Sequence, residues 1–195
     1  MKKIMYLFML CALLVGCGSG EAEVKSSVEV KNDDPAKEEP KVSAKPKVEK
    51  VYIENGEMVV IEDFSEFTIT DTKFAKKIEP PNPASFHTYY EAKEEGTTYL
   101  DTVIKFKSLL TSGKSADEFA SVEVTFNDKY EYRTFSTIEE SGGSNFTFTN
   151  ITSIEPLKNG TIHYLAEVPD EVENGTEPLT ITVTINGKEY LHKIR

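Results

Sequence analysis

Cysteine and tryptophan are the residue types that this sequence nearly lacks. The chain has two cysteines and no tryptophan in 195 residues. Both cysteines, Cys11 and Cys17, lie close to the amino terminus. The sequence beyond Cys17 therefore cannot form a disulfide, a cysteine-based zinc site, an iron–sulfur cluster or a cysteine nucleophile. Its stability must come from an ordinary hydrophobic core.

A hydrophobic run long enough to cross a membrane is also missing. The longest apolar run, residues 4–15, has about 12 residues, whereas a bilayer-spanning helix needs roughly 20. Two lysines precede this run, and it ends at Leu14-Val15-Gly16-Cys17, which resembles the lipobox of bacterial lipoproteins. The pattern predicts a lipoprotein signal peptide at residues 1–16, with Cys17 as the lipidated first residue of the mature chain.

Lipidation at Cys17 would supply a membrane anchor without a transmembrane helix. In the lipoprotein class that the lipobox resembles, the thiol carries a diacylglyceryl group. One acyl chain binds a membrane only marginally, whereas two anchor it stably. We therefore expect a cell-membrane location on the extracytoplasmic side. The alternative is an ordinary secreted protein that is cleaved nearby, with Cys17 incidental.

Aromatic residues are absent from residues 18–50, which are rich in Glu, Lys, Ser and Val and contain three prolines. A segment with so little apolar surface cannot offset the entropy cost of ordering. We therefore predict a lipidated, disordered tether at residues 17–50. A short helix at residues 21–30 is the alternative, although the valines there form no clean apolar face.

Positive charge is scarce in the remainder of the chain. The formal net charge of the whole chain is −11. Residues 1–20 carry +2 and residues 21–50 carry −1, which leaves −12 for residues 51–195. An acidic domain repels phosphate backbones, so nucleic acid is not an expected partner. The same charge should hold the domain away from anionic headgroups and anionic wall polymers.

Short alternating runs separated by turn residues fill residues 51–195, which predicts one all-β domain of about eight strands. Asn55-Gly56 predicts a hairpin between residues 51–53 and 58–61, and Asn186-Gly187 predicts another near the end. Alternation along residues 99–107 places one set of side chains in the core and the other outside. The predicted core set is Leu100, Ile104 and Phe106, and the predicted outer set is Asp101, Lys105 and Lys107.

Three segments together resemble a known family. They are residues 96–106 with the run Tyr99-Leu100-Asp101-Thr102, residues 154–160 with Ile154-Glu155-Pro156, and Glu167-Val168-Pro169 before a final aliphatic strand. The chain is similar to an immunoglobulin-like domain of unknown function that is common in Gram-positive lipoproteins. That family is related in fold to a secreted immunoprotective mycobacterial antigen. The resemblance implies an immunoglobulin-like antiparallel β-sandwich at the cell surface, and it brings no established catalytic residues.

The strongest binding candidate is the segment 76–96, where three prolines within residues 80–83 exclude a central strand. We predict a long, partly rigid loop whose ligand-binding candidates are Phe86, His87, Tyr89 and Tyr90. Aromatic side chains offer large contact area at low entropic cost. In the alternative interpretation these aromatics fold back and cap the sandwich. We interpret a second aromatic cluster, Tyr130, Tyr132 and Phe135, as cross-strand packing.

The sequence contains no recognisable catalytic or metal-binding motif. His163 alternates outward on a predicted strand and His192 lies near the carboxyl end of the sequence. Neither has a carboxylate or second histidine at metal-site spacing, and we interpret both as surface residues. The acidic segment Asp170–Gly175 could bind calcium through its carboxylates, but its spacing does not fit the EF-hand template. A solvated acidic turn is the preferred interpretation. We predict no cofactor and no enzymatic activity.

These observations predict a membrane-anchored lipoprotein whose domain binds an envelope protein or ligand. An enzyme or accessory subunit acting on envelope polymers is one alternative, and a small-ligand or metal sensor is another. If the loop 76–96 makes the contacts, its deletion should abolish capture of the partner and leave folding intact.

Overall fold

The computed structural model describes residues 50–195. The lipobox, Cys17 and nearly all of the predicted tether lie outside the described residues, so the structure does not test these predictions. Within residues 50–195, no helix is both long and apolar enough to cross a membrane. The first eight strands are β1 Lys50–Tyr52, β2 Met58–Ile61, β3 Ser65–Ala75, β4 Lys77–Ile78, β5 Tyr90–Glu91, β6 Thr97–Ser108, β7 Lys114–Ser115 and β8 Ser121–Phe126.

Seven strands and one helix complete the described fold. They are β9 Tyr130–Arg133, β10 Phe135–Glu140, β11 Asn145–Phe148, β12 Ser153–Ile154, β13 Asn159–Pro169, helix α1 Asp170–Asn174, β14 Leu179–Ile185 and β15 Lys188–Lys193. Single 3₁₀ turns occupy Ala116–Glu118 and Thr149–Ile151. Residues 50–195 thus contain fifteen strands rather than about eight, but five of them have only two or three residues.

Two sheets form the sandwich. The five-stranded sheet has the order β1-β15-β14-β8-β9, and the six-stranded sheet has the order β11-β10-β13-β6-β3-β2. Their neighbouring strands are antiparallel except β1, which runs parallel to β15. The predicted all-β sandwich is therefore confirmed.

Alternation along the strands builds the main core between the two sheets. Residues i and i+2 of a strand share a face, so aliphatic and aromatic residues at every second position face the opposite sheet. The predicted inward residues Leu100, Ile104 and Phe106 are fully buried. The inward residues of the neighbouring strand and of the opposite sheet are also buried: Ile162, Tyr164, Ala166 and Val168 on β13, and Leu179, Ile181, Val183 and Ile185 on β14.

The hairpin predicted at Asn55-Gly56 is wrong, although the turn itself is present. Gly56 adopts a positive φ of 81°, as a tight turn requires. The strands on either side lie in different sheets, because β1 pairs with β15 and β2 pairs with β3. The turn thus carries the chain from one layer of the sandwich to the other. The hairpin predicted at Asn186-Gly187 is confirmed as the β14–β15 connection.

A second, smaller core covers part of the outer face of the six-stranded sheet. It consists of Ile78, Tyr99, Phe146 and Leu165, with Tyr90 packed against them. Ile78 belongs to β4 and Tyr90 to β5, the two-residue strands that pair within the segment 76–96. This segment therefore lies over the sheet and buries side chains that would otherwise face solvent. As a result, β6 is buried on both faces along its first half.

Candidate functional site

The segment 76–96 is tied to the turn that joins β10 and β11. Backbone N–H groups of the segment donate three hydrogen bonds there: Asn82 to Gly143 O (2.9 Å), Ala84 to Ser144 O (3.0 Å) and Thr88 to Asn145 Oδ1 (2.8 Å). At its base, Ala92 N donates to Lys76 O. A loop held by backbone bonds at both its base and its middle presents its side chains in a defined arrangement.

Two of the four predicted binding residues point to solvent. The Phe86 side chain is 95% exposed and Tyr89 is 49% exposed. The Lys77 ammonium lies 4.3 Å from the centroid of the Tyr89 ring, a cation–π contact that fixes one face of that ring. The loop therefore exposes an apolar ring at Phe86 and an aromatic ring under a lysine ammonium at Tyr89.

His87 and Tyr90 have other roles in the loop. The His87 ring lies with Nδ1 2.8 Å from Ala84 O and Nε2 3.2 Å from a Glu79 oxygen, so it braces the loop internally. Hydrogen bonds from Lys77 and then from His87 lower the pKa of Glu79. Tyr90 turns inward, with its ring centroid 5.0 Å from that of Phe135. The structure thus divides the four predicted residues into an exposed pair and an internal pair.

A charged network that the sequence prediction missed lies on the sheet face beneath the loop. His163 Nδ1 is 3.0 Å from Asp101 Oδ2, and His163 Nε2 is 3.0 Å from Glu139 Oε1. The Lys73 ammonium is 3.9 Å from the same Asp101 carboxylate. His163 is only 4% exposed and Asp101 is fully buried. The prediction that His163 and Asp101 face solvent is therefore wrong.

Burial and charge act in opposite directions on His163. Desolvation alone lowers the pKa of the imidazole, because it penalises the charged form. Hydrogen bonds and charge interactions with Asp101 and Glu139 raise it and outweigh the desolvation, so the pKa of His163 lies above its usual value. A protonated ring can donate to both carboxylates at once. Protonation of His163 is therefore favoured by the two carboxylates between which the ring lies.

Both nitrogens of the His163 ring have partners within the protein, so neither is free to contact a substrate. Both His163 nitrogens contact carboxylates, and the ring edge packs against Phe146 with centroids 4.9 Å apart. A general base needs an open nitrogen within reach of a substrate proton. The geometry therefore favours a structural role, in which the network links β6, β13 and β10 under the loop.

His192, predicted as a surface residue, is also buried. Its Nδ1 lies 3.2 Å from Ile53 O, which joins the last strand to the residue following β1. The prediction is wrong because the parallel β1–β15 pairing, which no local pattern signals, places another segment of chain beside His192. Each of the two buried histidines is covered by a segment that is distant from it in the sequence.

The acidic segment Asp170–Gly175 forms helix α1 and the residue after it. Asp170 Oδ1 is 2.5 Å from the Lys76 ammonium, and Gly175 N donates to Glu171 O. Within residues 50–195, no three His, Cys, Asp or Glu side chains form a group that could hold a metal ion. One of the carboxylates that might ligate calcium is thus paired with a lysine.

An open polar groove runs across the outer face of the five-stranded sheet. Thr180, Thr182 and Thr184 form its floor on β14, between Glu123 of β8 and Glu189 of β15. Two adjoining depressions of about 510 and 490 Å³ share Glu123, Thr182 and Glu189 in their linings. Arg133 also lines the first depression, and Lys50 and Lys193 line the second. The groove is therefore wide and shallow, and its hydroxyl and carboxylate groups alternate with basic side chains.

Comparison with known proteins identifies the architecture. No protein-family model matches the chain, and no curated protein matches it. The crystal structure of an uncharacterized β-sandwich protein from Clostridium difficile 630 aligns with a TM-score of 0.70 and 28% sequence identity, over 77% of this chain and 98% of that chain. A conserved hypothetical protein from Bacillus anthracis aligns with a TM-score of 0.49 and 11% identity, over 71% and 92% of the two chains. The Clostridium difficile structure supports the β-sandwich fold described above.

Proposed function

We propose that this protein is an extracytoplasmic lipoprotein, anchored through Cys17, whose immunoglobulin-like β-sandwich binds an envelope protein or ligand without catalysis. The observation that carries the proposal is the 95% exposure of Phe86 on a loop held by backbone hydrogen bonds. The lipobox pattern ahead of Cys17 supports the location, and the loop supports the binding role.

An exposed phenylalanine costs hydration free energy in the unbound state. Burying a side chain of this size contributes roughly 1.5–3 kcal/mol, so a partner that covers Phe86 gains that amount. Most interfaces depend on a few such aromatic anchors surrounded by polar contacts. Tyr89, Lys77 and Glu79 of the same loop contact one another and offer polar groups to such a partner.

The anchoring of the loop reduces the entropy that binding must overcome. A flexible loop loses conformational freedom when a partner immobilises it, which weakens affinity. Here the bonds from Asn82, Ala84 and Thr88 to the β10–β11 turn restrict the backbone before binding. The loop is thus suited to recognition with little rearrangement.

Site-specific photocrosslinking on intact cells tests the contact surface. A photoreactive residue at position 86 should give a discrete crosslinked product with one partner, and Phe86→Ala should reduce capture of that partner by another crosslinking position in the loop. Ile151 is a matched control, because it is 74% exposed but lies in a 3₁₀ turn outside the loop. Equal products from positions 86 and 151 would contradict the loop assignment.

Cell fractionation tests the anchor separately. Cys17→Ser removes the thiol that the thioether requires, so the variant should move from the membrane fraction to the soluble or secreted fraction. Cys11→Ser is the matched control, because Cys11 lies inside the predicted signal peptide. Continued membrane association of Cys17→Ser, or equal behaviour of the two variants, would overturn the lipoprotein assignment.

The groove on the five-stranded sheet favours a second candidate function, which is binding to an uncharged hydroxyl-rich envelope polymer. Threonine hydroxyls and the carboxylates Glu123 and Glu189 can exchange hydrogen bonds with such a polymer. Sedimentation with purified wall polysaccharide tests this alternative. Thr182→Val should reduce the bound fraction, whereas Phe86→Ala should not, and the opposite pattern would favour the loop.

A further inference from the structure

An aromatic pocket lies at one end of the sandwich, between the β8–β9 hairpin and helix α1. Its volume is about 250 Å³. The lining residues are Phe126, Tyr130, Tyr132, Pro169, Glu171 and Val172. Three aromatic rings, two apolar side chains and the Glu171 carboxylate therefore form the walls, and two cations, Lys129 and Arg195, lie against two of the rings.

Strand register positions the three rings. Tyr132 lies opposite Val124 and Tyr130 lies opposite Phe126, so all four residues share the inward parity of β8 and β9. The tight turn between these strands places Asn127 and Asp128 at positive φ values of 53° and 51°. Phe126 and Tyr130 stack with centroids 6.5 Å apart. The strand pairing and the turn of the β8–β9 hairpin therefore set the positions of the rings.

Helix α1 supplies the opposite wall. Val172 is buried against the main core, and Glu171 lines the pocket from the first turn of the helix. Burial, and then the negative charges of Glu171 and Tyr130, raise the pKa of Tyr132. The ring and the carboxylate therefore contribute negative potential to the same small space.

The rings at this end already attract cations within the chain. The Lys129 ammonium lies 4.9 Å from the Tyr130 centroid, and the Arg195 guanidinium lies 5.9 Å from the Phe126 centroid. Arg195 is fixed by hydrogen bonds to the carbonyl oxygens of Glu177 and Val172. The faces of aromatic rings carry negative potential, and the net charge of residues 51–195 reinforces it.

We propose that this pocket binds a methylated ammonium group, such as the trimethylammonium of choline. A trimethylammonium is weakly hydrated and presents methyl groups to the rings, whereas the compact lysine-type ammonium is strongly hydrated and loses more on entering an aromatic site. The Glu171 carboxylate balances the charge. The site is separate from the loop 76–96, so it does not depend on the function proposed above.

Isothermal titration of the full chain with choline tests the proposal, and 3,3-dimethyl-1-butanol is the uncharged analogue of the same shape. Choline should bind saturably, and the analogue should bind at least about tenfold more weakly, because it lacks the charge that the rings and carboxylate recognise. Equal binding of the two compounds would overturn the proposal, since the pocket would then recognise shape alone.

Variants assign the binding to this pocket. Tyr130→Leu and Glu171→Gln should each weaken choline binding by about fivefold. Glu173→Gln is the matched control on the same helix and should leave it unchanged, as should Tyr52→Leu at an exposed tyrosine elsewhere. Thermal melting of each variant verifies folding, and Tyr130 is half-exposed, so its truncation should be tolerated. A folded Glu171→Gln variant that binds like Glu173→Gln would contradict the assignment.

Vesicles distinguish the two sources of the group. Cosedimentation with phosphatidylcholine vesicles, but not with phosphatidylglycerol vesicles, would identify a lipid headgroup as the ligand. Binding of free choline without vesicle binding would identify a small molecule. Absence of saturable binding to both choline and phosphatidylcholine vesicles would refute the proposal.

Discussion

Two carboxylates hold His163 from opposite sides of its ring, Asp101 at Nδ1 and Glu139 at Nε2. Both partners favour the protonated ring, so the pKa of His163 is higher in the folded than in the unfolded chain. The folded state therefore binds the proton more tightly. The resulting stabilisation is complete below the unfolded pKa of about 6.5, and it is lost as the pH rises through the folded pKa.

We expect the stability difference between the natural protein and His163→Gln to depend on pH in this direction. The natural protein should exceed the variant in stability most below the ordinary histidine pKa of about 6.5, and the difference in free energy of unfolding should shrink as the pH rises above that value. Glutamine keeps a hydrogen-bonding side chain but does not titrate in this range. Denaturant titrations at several pH values measure the difference, and a constant or growing difference would contradict the expected sign.

The turn between β10 and β11 is the element that receives the loop 76–96. Gly142 and Gly143 both have positive φ values, 73° and 84°, but their surroundings differ. A Cβ on Gly142 would meet nothing within 4 Å, whereas a Cβ on Gly143 would lie 2.5 Å from Pro81 Cγ and 3.1 Å from Glu139 Oε2. A comparison of alanine substitutions at the two glycines therefore distinguishes the cost of backbone strain from the cost of a clash with the loop.

We expect Gly142→Ala to cost about 1 kcal/mol through backbone strain alone. Gly143→Ala should cost clearly more, because Pro81 and the hydrogen bond from Asn82 to Gly143 O must shift as well. Urea unfolding gives both free energies, and limited proteolysis within residues 79–89 reports on the loop. Equal stability and equal cleavage rates would show that the loop is not held at this turn.

Local alternation predicted much of the main core from the sequence. It predicted the inward sides of β6, β8, β13 and β14, because strands that face another sheet on one side bury every second residue. The same rule assigned Asp101 and His163 to solvent, and it was wrong there because the loop 76–96 covers the second face. The alternation of apolar and polar residues along a strand does not indicate whether a distant segment covers its second face.

The candidate site shows a similar division between local and distant signals. The proline-rich segment with aromatic residues, a local pattern, predicted a loop at residues 76–96 but left open whether its aromatic side chains face solvent or cap the sandwich. The inward turn of Tyr90 depends on Phe135 and Phe146, which lie far along the chain. The Asp101–His163–Glu139 network draws on three strands, so no spacing within a single segment could predict it.

At the scale of the whole molecule, the loop 76–96 is part of the folded structure and not an appendage. Ile78 is buried with Tyr99, Phe146 and Leu165, and Lys76 pairs with Asp170. Deleting the loop re-exposes large apolar side chains, each of which contributes roughly 1.5–3 kcal/mol when buried. We therefore revise the expectation that deletion leaves folding intact.

Replacement of residues 76–96 by a short glycine linker should lower the free energy of unfolding by several kcal/mol, whereas Phe86→Ala should leave it nearly unchanged. Chemical denaturation of the two variants compares them directly. An unchanged unfolding midpoint in the deletion variant would show that the second core contributes little. For this reason Phe86→Ala, rather than the deletion, is the suitable variant for binding experiments.

The parallel pairing of β1 with β15 determines how mechanical tension would enter the domain. A pull applied at Lys50 acts first on a three-residue edge strand, and the next residue, Ile53, is buried in the main core. Detaching β1 would extract Ile53 and release the carbonyl oxygen near His192 before the antiparallel strands bear load. A pull from the amino-terminal side would thus load the β1–β15 pairing, Ile53 and the His192 contact first.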